Sequence, residues 1–433
     1  MRIRKSKVFN NISWILAERI VQLVIALFVG IMSARFLGPS NFGLINYSIS
    51  IMSLFFAFCE LGIADIFIRD VLNEPSTTGV RLGSGIMMRF IAGFISMILM
   101  IVTVIVIDPT NEIVIYVSIV LSFSLIFRSI ELIDSWFQSR LQSKYVSISK
   151  ILTGVCIAIW KISLLMMNAP VIWFAFSTTL EAMLVSAILL FMYVKKGGVK
   201  WEFSMQISKG MLSQSYHLII SGLLVSLYTK LGQIMIGSMI GEVDVGIYSA
   251  AIRLSDMWYI IPLAIINSVT PVIIEQRKHD YEAYIRKLKQ LYAVIIWMGI
   301  GVGIIFSIFS LFIVHTLYGE AYSRAAGVLN INIWAGTFAM LGSARSIWIV
   351  CENYQKYVKH YIIFGTVINV VLNWILIPKL GIYGASWSTL IAQIVVAIIA
   401  PLFYKRTRAS SLLMFDALLL RGVLQQRVRS SAL

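Results

Sequence analysis

The chain has 433 residues, 59% of them hydrophobic and only 13% charged, with a formal net charge of +16. Soluble proteins carry roughly 25% charged residues, and a soluble helical core needs polar faces that these segments lack, so a soluble fold is excluded. The positive charge is spread through alternate loops with no basic stripe, and three cysteines lack CxxC spacing, which excludes a nucleic-acid surface, a disulfide framework and a metal centre.

Apolar runs of about twenty residues, the length that crosses ~30 Å of hydrocarbon, recur along the whole chain. Arg2, Arg4, Lys5 and Lys7 precede the first run, and no small-residue cleavage site follows it, so an uncleaved helix is expected over 12–32. A polar turn with Gly38-Pro39 leads to a second helix over 43–64, then to a polar loop holding Arg69, Asp70, Glu74, Pro75 and Arg81. Helices three and four are expected over 85–107 and 113–133, joined by Asp108-Pro109-Thr110-Asn111, a turn without Lys or Arg. Helix five follows the basic segment of Arg140 and Lys144, and helix six ends at Val194, just before Lys195, Lys196, Lys200 and Lys209.

That basic segment marks the boundary between an N-terminal six-helix bundle, 1–200, and a C-terminal one, 201–408. Helices seven and eight flank a turn at Gly241, and the charged run 277–289 is long enough for a short surface helix. Helices nine to twelve end near His315, Val350, Pro378 and Lys405. Residues 409–433, where Arg421, Arg427 and Arg429 interrupt apolar residues, suit a cytoplasmic tail with a helix lying in the interface.

Most Lys and Arg fall in loops on one side, while the other side holds mainly Arg35, Arg324 and Lys379. By the positive-inside rule this gives an all-α polytopic membrane protein of about twelve transmembrane helices with both termini cytoplasmic. Six helices per bundle is an even number, so the bundles are expected to share one orientation, related by a pseudo-two-fold axis along the membrane normal. Internal echoes support the duplication. IMSARFLGPSNFGLINY at 31–47 returns as IMIGSMIGEVDVGIYSA at 234–250, an offset of 203. Lys144-Tyr145-Val146 returns as Lys356-Tyr357-Val358, and Tyr193-Val194-Lys195-Lys196 as Phe403-Tyr404-Lys405-Arg406.

Charges inside membrane spans are costly and usually face a partner or a cavity. Glu18, Arg19, Arg128, Glu131, Lys161, Glu181, Lys230, Arg253, Asp256 and Arg345 all fall within the expected spans. Basic residues outnumber acidic ones among them, so converging faces would line a cationic cavity between the halves. Arg128–Glu131 and Arg253–Asp256, each at i,i+3, also fit simple neutralisation within one helix. Arg19, Lys150 and Arg345 lie near enough to helix ends to snorkel. Glu181, central and without an obvious local partner in the sequence, is hard to explain structurally, as is Lys161, well inside helix five. Asn267, Asn330, Asn332, Asn369 and Asn373 suit either a cavity lining or helix–helix hydrogen bonds. Trp14, Trp136 and Trp334 read as interface anchors.

The run ARFLGPSNFGLINYSIS, the later ELGIADIFIRD, the Lys-Tyr pair before helix five and LGIYGAS opening helix twelve resemble the bacterial polysaccharide-repeat (O-antigen type) flippases. These belong to the multidrug/oligosaccharidyl-lipid/polysaccharide exporter superfamily. The resemblance implies two six-helix bundles forming a V. It also implies a non-enzymatic transporter in the bacterial inner membrane, moving undecaprenyl-pyrophosphate-linked oligosaccharide to the periplasmic leaflet, with glycan polymerases as partners. Its motifs lie mostly at turns and packing positions and assign no ligands. The charge pattern suits this cargo: Arg19, Arg128, Lys161, Lys230, Arg253 and Arg345 would replace water around the pyrophosphate while the polyprenyl tail stays in membrane lipid. Glu181, Asp256 or Glu18 would couple the return step to protons or sodium. No cofactor is called for, and no GxxxxGK[ST] nucleotide loop exists. An ion-coupled multidrug antiporter would favour an acidic, aromatic cavity, and a membrane glycan polymerase or ligase needs larger external loops than this chain has.

Overall fold

The computed structural model describes residues 2–422, with the side chains of residues 2–10 and 12 outside the description. The N-terminal cations Arg2, Arg4, Lys5 and Lys7, as side chains, and Arg427 and Arg429 therefore lie outside the described residues. Among the described residues every regular element is a helix. Eleven helical segments are long and apolar enough to cross a membrane, and the first, Ser13–Asn73, has 61 residues and bends at Gly38, so it holds two crossings. The chain is thus an all-α, multi-pass membrane protein of twelve spans. It divides into two compact units, 1–234 and 235–433.

Unit 1 starts with α1 (Arg2–Glu60), which kinks where Gly38 adopts φ 67° and ψ 174° ahead of Pro39. Pro39 lacks an N–H for the helix ladder, and the left-handed φ at Gly38 needs no Cβ, so the Gly-Pro pair places the bend. The expected loop with Arg69 and Asp70 is instead a short helix, α2 (Ile63–Asn73), because Ile63, Ile66, Phe67 and Val71 recur at helical spacing and pack inward. Asp70 is buried there and takes ion pairs from Arg69 and from Arg81.

α3 (Thr78–Ile107) and α4 (Glu112–Phe127) follow, the latter capped by Asn111, whose side chain accepts from the Val114 amide at 3.2 Å. A 3₁₀ turn, Arg128–Glu131, then separates α4 from α5 (Leu132–Ser139). α6 (Ser143–Met166) and α7 (Val171–Lys195) complete the set of six spans. Trp136, expected at the interface, is fully buried instead, because Phe137 and Tyr193 close around its ring at 4.9 and 4.7 Å. Hydroxyls bind the helices across the apolar interior: Thr179 donates to the Val120 carbonyl at 2.6 Å and Ser186 to that of Phe127 at 2.7 Å.

The segment after α7 runs flat against α3. The Glu202 amide donates to the Gly79 carbonyl at 3.3 Å and the Ser204 amide to Ser84 Oγ at 2.9 Å. A Cβ at Gly83 would stand 2.3 Å from the Glu202 carbonyl oxygen, so glycine is required for this approach. α8 (Met205–Met239) then gives most of its length to unit 1: Met211 is buried in its core, and Gln233 Oε1 accepts from Ser50 Oγ at 2.8 Å. The basic segment 195–209 and the packing boundary at 234 are thus different landmarks.

Unit 2 begins with α9 (Glu242–Met257) and α10 (Ile260–His279). The charged run 277–289 forms no separate surface helix, because Asp280 ends α10 and its side chain caps α11 (Tyr281–Tyr318), accepting from the Ala283 amide at 2.9 Å. α12 (Ala325–Cys351) is the central, most buried span of this unit. α13 (Val358–Leu380) and α14 (Ile382–Ile394) follow. A five-residue π-helix, Val395–Ile399, passes into α15 (Ala400–Phe403), and α16 (Arg408–Leu418) folds back so that Asp416 meets Lys289 of α11 at 2.6 Å. Asn332 donates to Ser386 Oγ at 3.0 Å and Asn373 to Asn369 Oδ1 at 2.9 Å, so these buried amides tie helices and their own turns together.

The duplication is visible in the backbone. Gly241, 203 residues after Gly38, repeats its positive φ and extended ψ at 111° and 170°. Leu141 and Asn353, at φ 56° and 58°, are 212 residues apart. Non-glycine residues rarely take this conformation.

Candidate functional site: ionisable groups within the spans

In unit 1 the 3₁₀ turn is the pivot. Side chains at i and i+3 eclipse in a 3₁₀ turn, so Arg128 and Glu131 project from one side of the break between α4 and α5. The Arg128 guanidinium lies 4.6 Å over the Phe56 ring of α1, and its Nε has no hydrogen-bond partner among the described residues. One helical turn beyond Phe56, Glu60 is exposed and stands in the fields of Arg89, Glu131 and Arg128. Arg89 of α3 is only 5% exposed, and its Nε donates to the Glu60 carbonyl at 3.1 Å.

A second group adjoins the first. Lys150 of α6 pairs with Asp134 of α5 at 3.1 Å, and buried Glu18 of α1 lies in the fields of Lys150, Asp134 and Arg19. Glu131 acts on Lys150 as well, which makes the two groups continuous. The result is a cluster of mixed sign, Glu18, Lys150, Asp134, Glu131, Arg128, Glu60 and Arg89, whose members stand in one another's fields and in which Lys150 and Asp134 form an ion pair. Its back is buried at Arg89 and Glu18, and its ends are accessible at Glu60 and Arg19. Such a cluster can receive an anion: the Arg128 Nε has no hydrogen-bond partner among the described residues and Arg89 is already out of bulk water, so pairing either with an anion adds little desolvation cost.

Of the residues singled out in the sequence, Glu18, Arg128, Glu131 and Lys150 enter this cluster and Arg19 borders it. Lys161 is half-buried on α6, Glu181 is exposed on α7, and Lys230 Nζ sits 3.4 Å from Gln233 Oε1. In unit 2, Arg253 is half-buried and lies near Tyr318, while Asp256 is exposed on α9. Arg345 is 4% exposed; it donates to the carbonyls of Val396 and Ala397 at 3.0 and 2.7 Å, and its guanidinium lies 5.1 Å over the Tyr361 ring. A π-helix turns its carbonyls away from ordinary helical partners, and Arg345 supplies donors there. Lys150, a snorkelling candidate by position, is held in an ion pair. Glu60 and Arg89 escaped the sequence reading, although both lie inside the expected spans 43–64 and 85–107, which is the signal that would have found them.

The family described as "Polysaccharide biosynthesis protein" matches residues 8–276, more than half of the chain. Among curated relatives, capsular polysaccharide biosynthesis protein CapF of Staphylococcus aureus is 26% identical over 204 residues, covering 44% of this chain and 48% of CapF. Probable flippase AglR of Haloferax volcanii is 25% identical over 184 residues, covering 40% of this chain and 37% of AglR. The chain thus matches about half the length, or less, of these relatives. Among solved structures, lipid II flippase MurJ in its inward closed conformation superposes with a TM-score of 0.74 at 16% identity, covering 95% of this chain and 92% of that one. An inward-facing multidrug resistance MATE family transporter of the MOP superfamily gives 0.69 at 16% identity, covering 90% and 95%. At such identities the likeness is one of fold. By sequence the chain belongs to the polysaccharide biosynthesis protein family, and its all-helical, multi-pass fold is the one these two solved structures share.

Proposed function

We propose that this protein is a flippase that carries an oligosaccharide repeat unit, linked to undecaprenyl pyrophosphate, from the cytoplasmic to the periplasmic leaflet of the bacterial inner membrane. The family match and the names of the relatives, one a capsular polysaccharide protein and one a probable flippase, support a lipid-linked glycan as cargo. The observation that carries the reading is the half-buried charge cluster of unit 1, where Arg89 is buried and, among the described residues, the Nε of Arg128 has no hydrogen-bond partner and neither guanidinium is locked in an ion pair. A pyrophosphate must shed water to cross ~30 Å of hydrocarbon, and guanidinium and ammonium groups that are already partly desolvated replace that hydration.

In this reading Arg128, with Arg19, Lys161, Lys230 and Arg253, meets the pyrophosphate during alternating access. Arg345 keeps the last span in shape from within unit 2. Glu18, and with it Glu181 and Asp256, takes up the proton or sodium ion that drives the return step. Both termini face the cytoplasm, where the basic loops lie. O-antigen-type glycans are the cargo class, and a glycan polymerase acts on the product in the outer leaflet.

Deleting the gene in the native host should trap lipid-linked glycan in the cytoplasmic leaflet and abolish surface polysaccharide. Wild type should restore both, whereas Lys161→Ala and Arg128→Ala, at normal membrane levels, should not. Normal surface glycan in the deletion strain would remove the flippase reading. One observation favours a second reading: within the unit 1 cluster the acids Glu18, Glu60, Glu131 and Asp134 are as prominent as the bases, as an ion-coupled multidrug antiporter would need. Altered drug tolerance in the deletion strain, with glycan intact, would select that reading.

A further inference from the structure

A second built feature lies in unit 2, where the start of α13 meets the end of α15. A cavity of about 510 Å³ is lined by His360, Tyr361, Phe364, Val367, Ala400 and Phe403. Its lower part is apolar and open on an outward face: Phe364, Val367 and Phe403 are 48%, 54% and 74% exposed. In a membrane span such a face meets lipid. Val367 lies nine residues into α13, so at 1.5 Å per residue the groove reaches about 14 Å from the helix start.

The mouth is of the opposite character. Tyr357 and His360 gather around Tyr404, at ring distances of 5.1 and 6.1 Å. Lys356 Nζ lies 5.5 Å over the Tyr357 ring, Lys359 precedes His360 and Lys405-Arg406 follow Tyr404 in the chain, and all four cations are exposed. Among the described residues none of the four is in an ion pair; the acid nearest in sequence, Glu352, is taken by Arg277. The back wall is fixed. The Tyr361 hydroxyl donates to Thr407 Oγ1 at 2.6 Å, Thr407 donates to the Pro401 carbonyl at 3.0 Å, and the Tyr361 ring lies under the Arg345 guanidinium.

We infer that this cavity binds one anionic phospholipid of the cytoplasmic leaflet, its phosphate held by Lys356, Lys359, Lys405 and Arg406 and one acyl chain lying along Phe364 and Val367. Four cations without acidic partners, at the end of an apolar groove and beside aromatic rings, match an anionic headgroup on a hydrocarbon tail. The negative surface potential of that leaflet concentrates such lipids where the basic loops lie. Because its wall, Tyr361, also supports Arg345 and through it the π-helix, the bound lipid stabilises the last span. The inference does not depend on what the protein transports.

The test uses the full chain, delipidated in detergent, with phosphatidylglycerol, phosphatidylcholine and undecaprenyl phosphate as probes, read by native mass spectrometry and thermal unfolding. Phosphatidylglycerol should bind one to one and raise Tm, and phosphatidylcholine should do neither. Combining Lys356→Ser, Lys359→Ser, Lys405→Ser and Arg406→Ser should weaken phosphatidylglycerol at least about tenfold. Val367→Trp, which keeps every charge and fills the groove, should also lose the lipid and serves if the fourfold variant misfolds. Equal binding of phosphatidylcholine, or undiminished phosphatidylglycerol binding by the variants, would overturn the site. Displacement of phosphatidylglycerol by equimolar undecaprenyl phosphate would assign the groove to a polyisoprenoid and overturn it equally.

Discussion

The two units share a plan but keep their buried charges in different ways. In unit 1 the buried Asp, Glu, Lys and Arg among the described residues are Glu18, Asp70 and Arg89, and each stands in the field of opposite charges from two or more helices, Arg89 also donating to the Glu60 carbonyl. In unit 2 the one such residue among those described, Arg345, is met by backbone carbonyls of a π-helix and by aromatic rings. Its other ion pairs, Arg277–Glu352, Lys289–Asp416 and Arg324–Asp244, join partly exposed side chains near helix ends. Carboxylates can be exchanged for an incoming anion, whereas a carbonyl pair in a packed interior fixes its arginine in place. The duplicated scaffold thus surrounds its buried charges mainly with ionisable side chains in one half and with backbone carbonyls and aromatic rings in the other.

Removing the Arg345 guanidinium should have the largest effect on stability. Arg345→Leu leaves the Val396 and Ala397 carbonyls without their donor and should cost about 2–4 kcal/mol, read as a lower unfolding temperature and faster hydrogen exchange over 395–399. Equal exchange in wild type and variant would show that the π-helix holds without Arg345. In unit 1, Arg89→Leu should cost less, about 1–3 kcal/mol, because it takes the donor from one carbonyl, that of Glu60, where Arg345→Leu takes it from two. Adding Glu60→Gln should then cost less than it does alone, a coupling of roughly 1 kcal/mol in a double-mutant cycle. Strict additivity would mean that the Glu60 carboxylate exerts no field on Arg89, since Glu60→Gln leaves the carbonyl bond in place.

A smaller effect separates two glycines. Gly83→Ala drives a Cβ to 2.3 Å from the Glu202 carbonyl oxygen and should cost about 1–2 kcal/mol, with new protease sensitivity in 196–204. Gly342→Ala in unit 2 meets nothing within 4 Å and should change stability by no more than about 0.5–1 kcal/mol, in the stabilising direction. Equal costs would show that the segment after α7 is not strapped to α3 by close approach.

Features set by local chemistry were legible in the sequence. The Gly38-Pro39 bend and its repeat at Gly241 are marked by residue types that backbone geometry demands, and the twelve spans by hydropathy. Features set by tertiary packing were not. Trp136 looks like an interface anchor until Phe137 and Tyr193 enclose it. Asp70 sits in an amphipathic helix that its charged neighbours disguise as a loop. The donors of Arg345 find their carbonyls only because 395–399 winds as a π-helix, which has no local mark in VVAII. Glu60 and Arg89 are 29 residues apart and become partners only when α1 and α3 pack together.

The most direct test of transport is made on purified protein in sealed proteoliposomes with a lipid-linked oligosaccharide in both leaflets. A glycan-cleaving enzyme added outside should consume about half of the substrate in empty vesicles and nearly all of it with wild-type protein. Arg128→Ala should return the reaction to the empty-vesicle level while the protein stays folded and inserted. Consumption that stops at half with wild-type protein, under every imposed proton and sodium gradient, would contradict the flippase account.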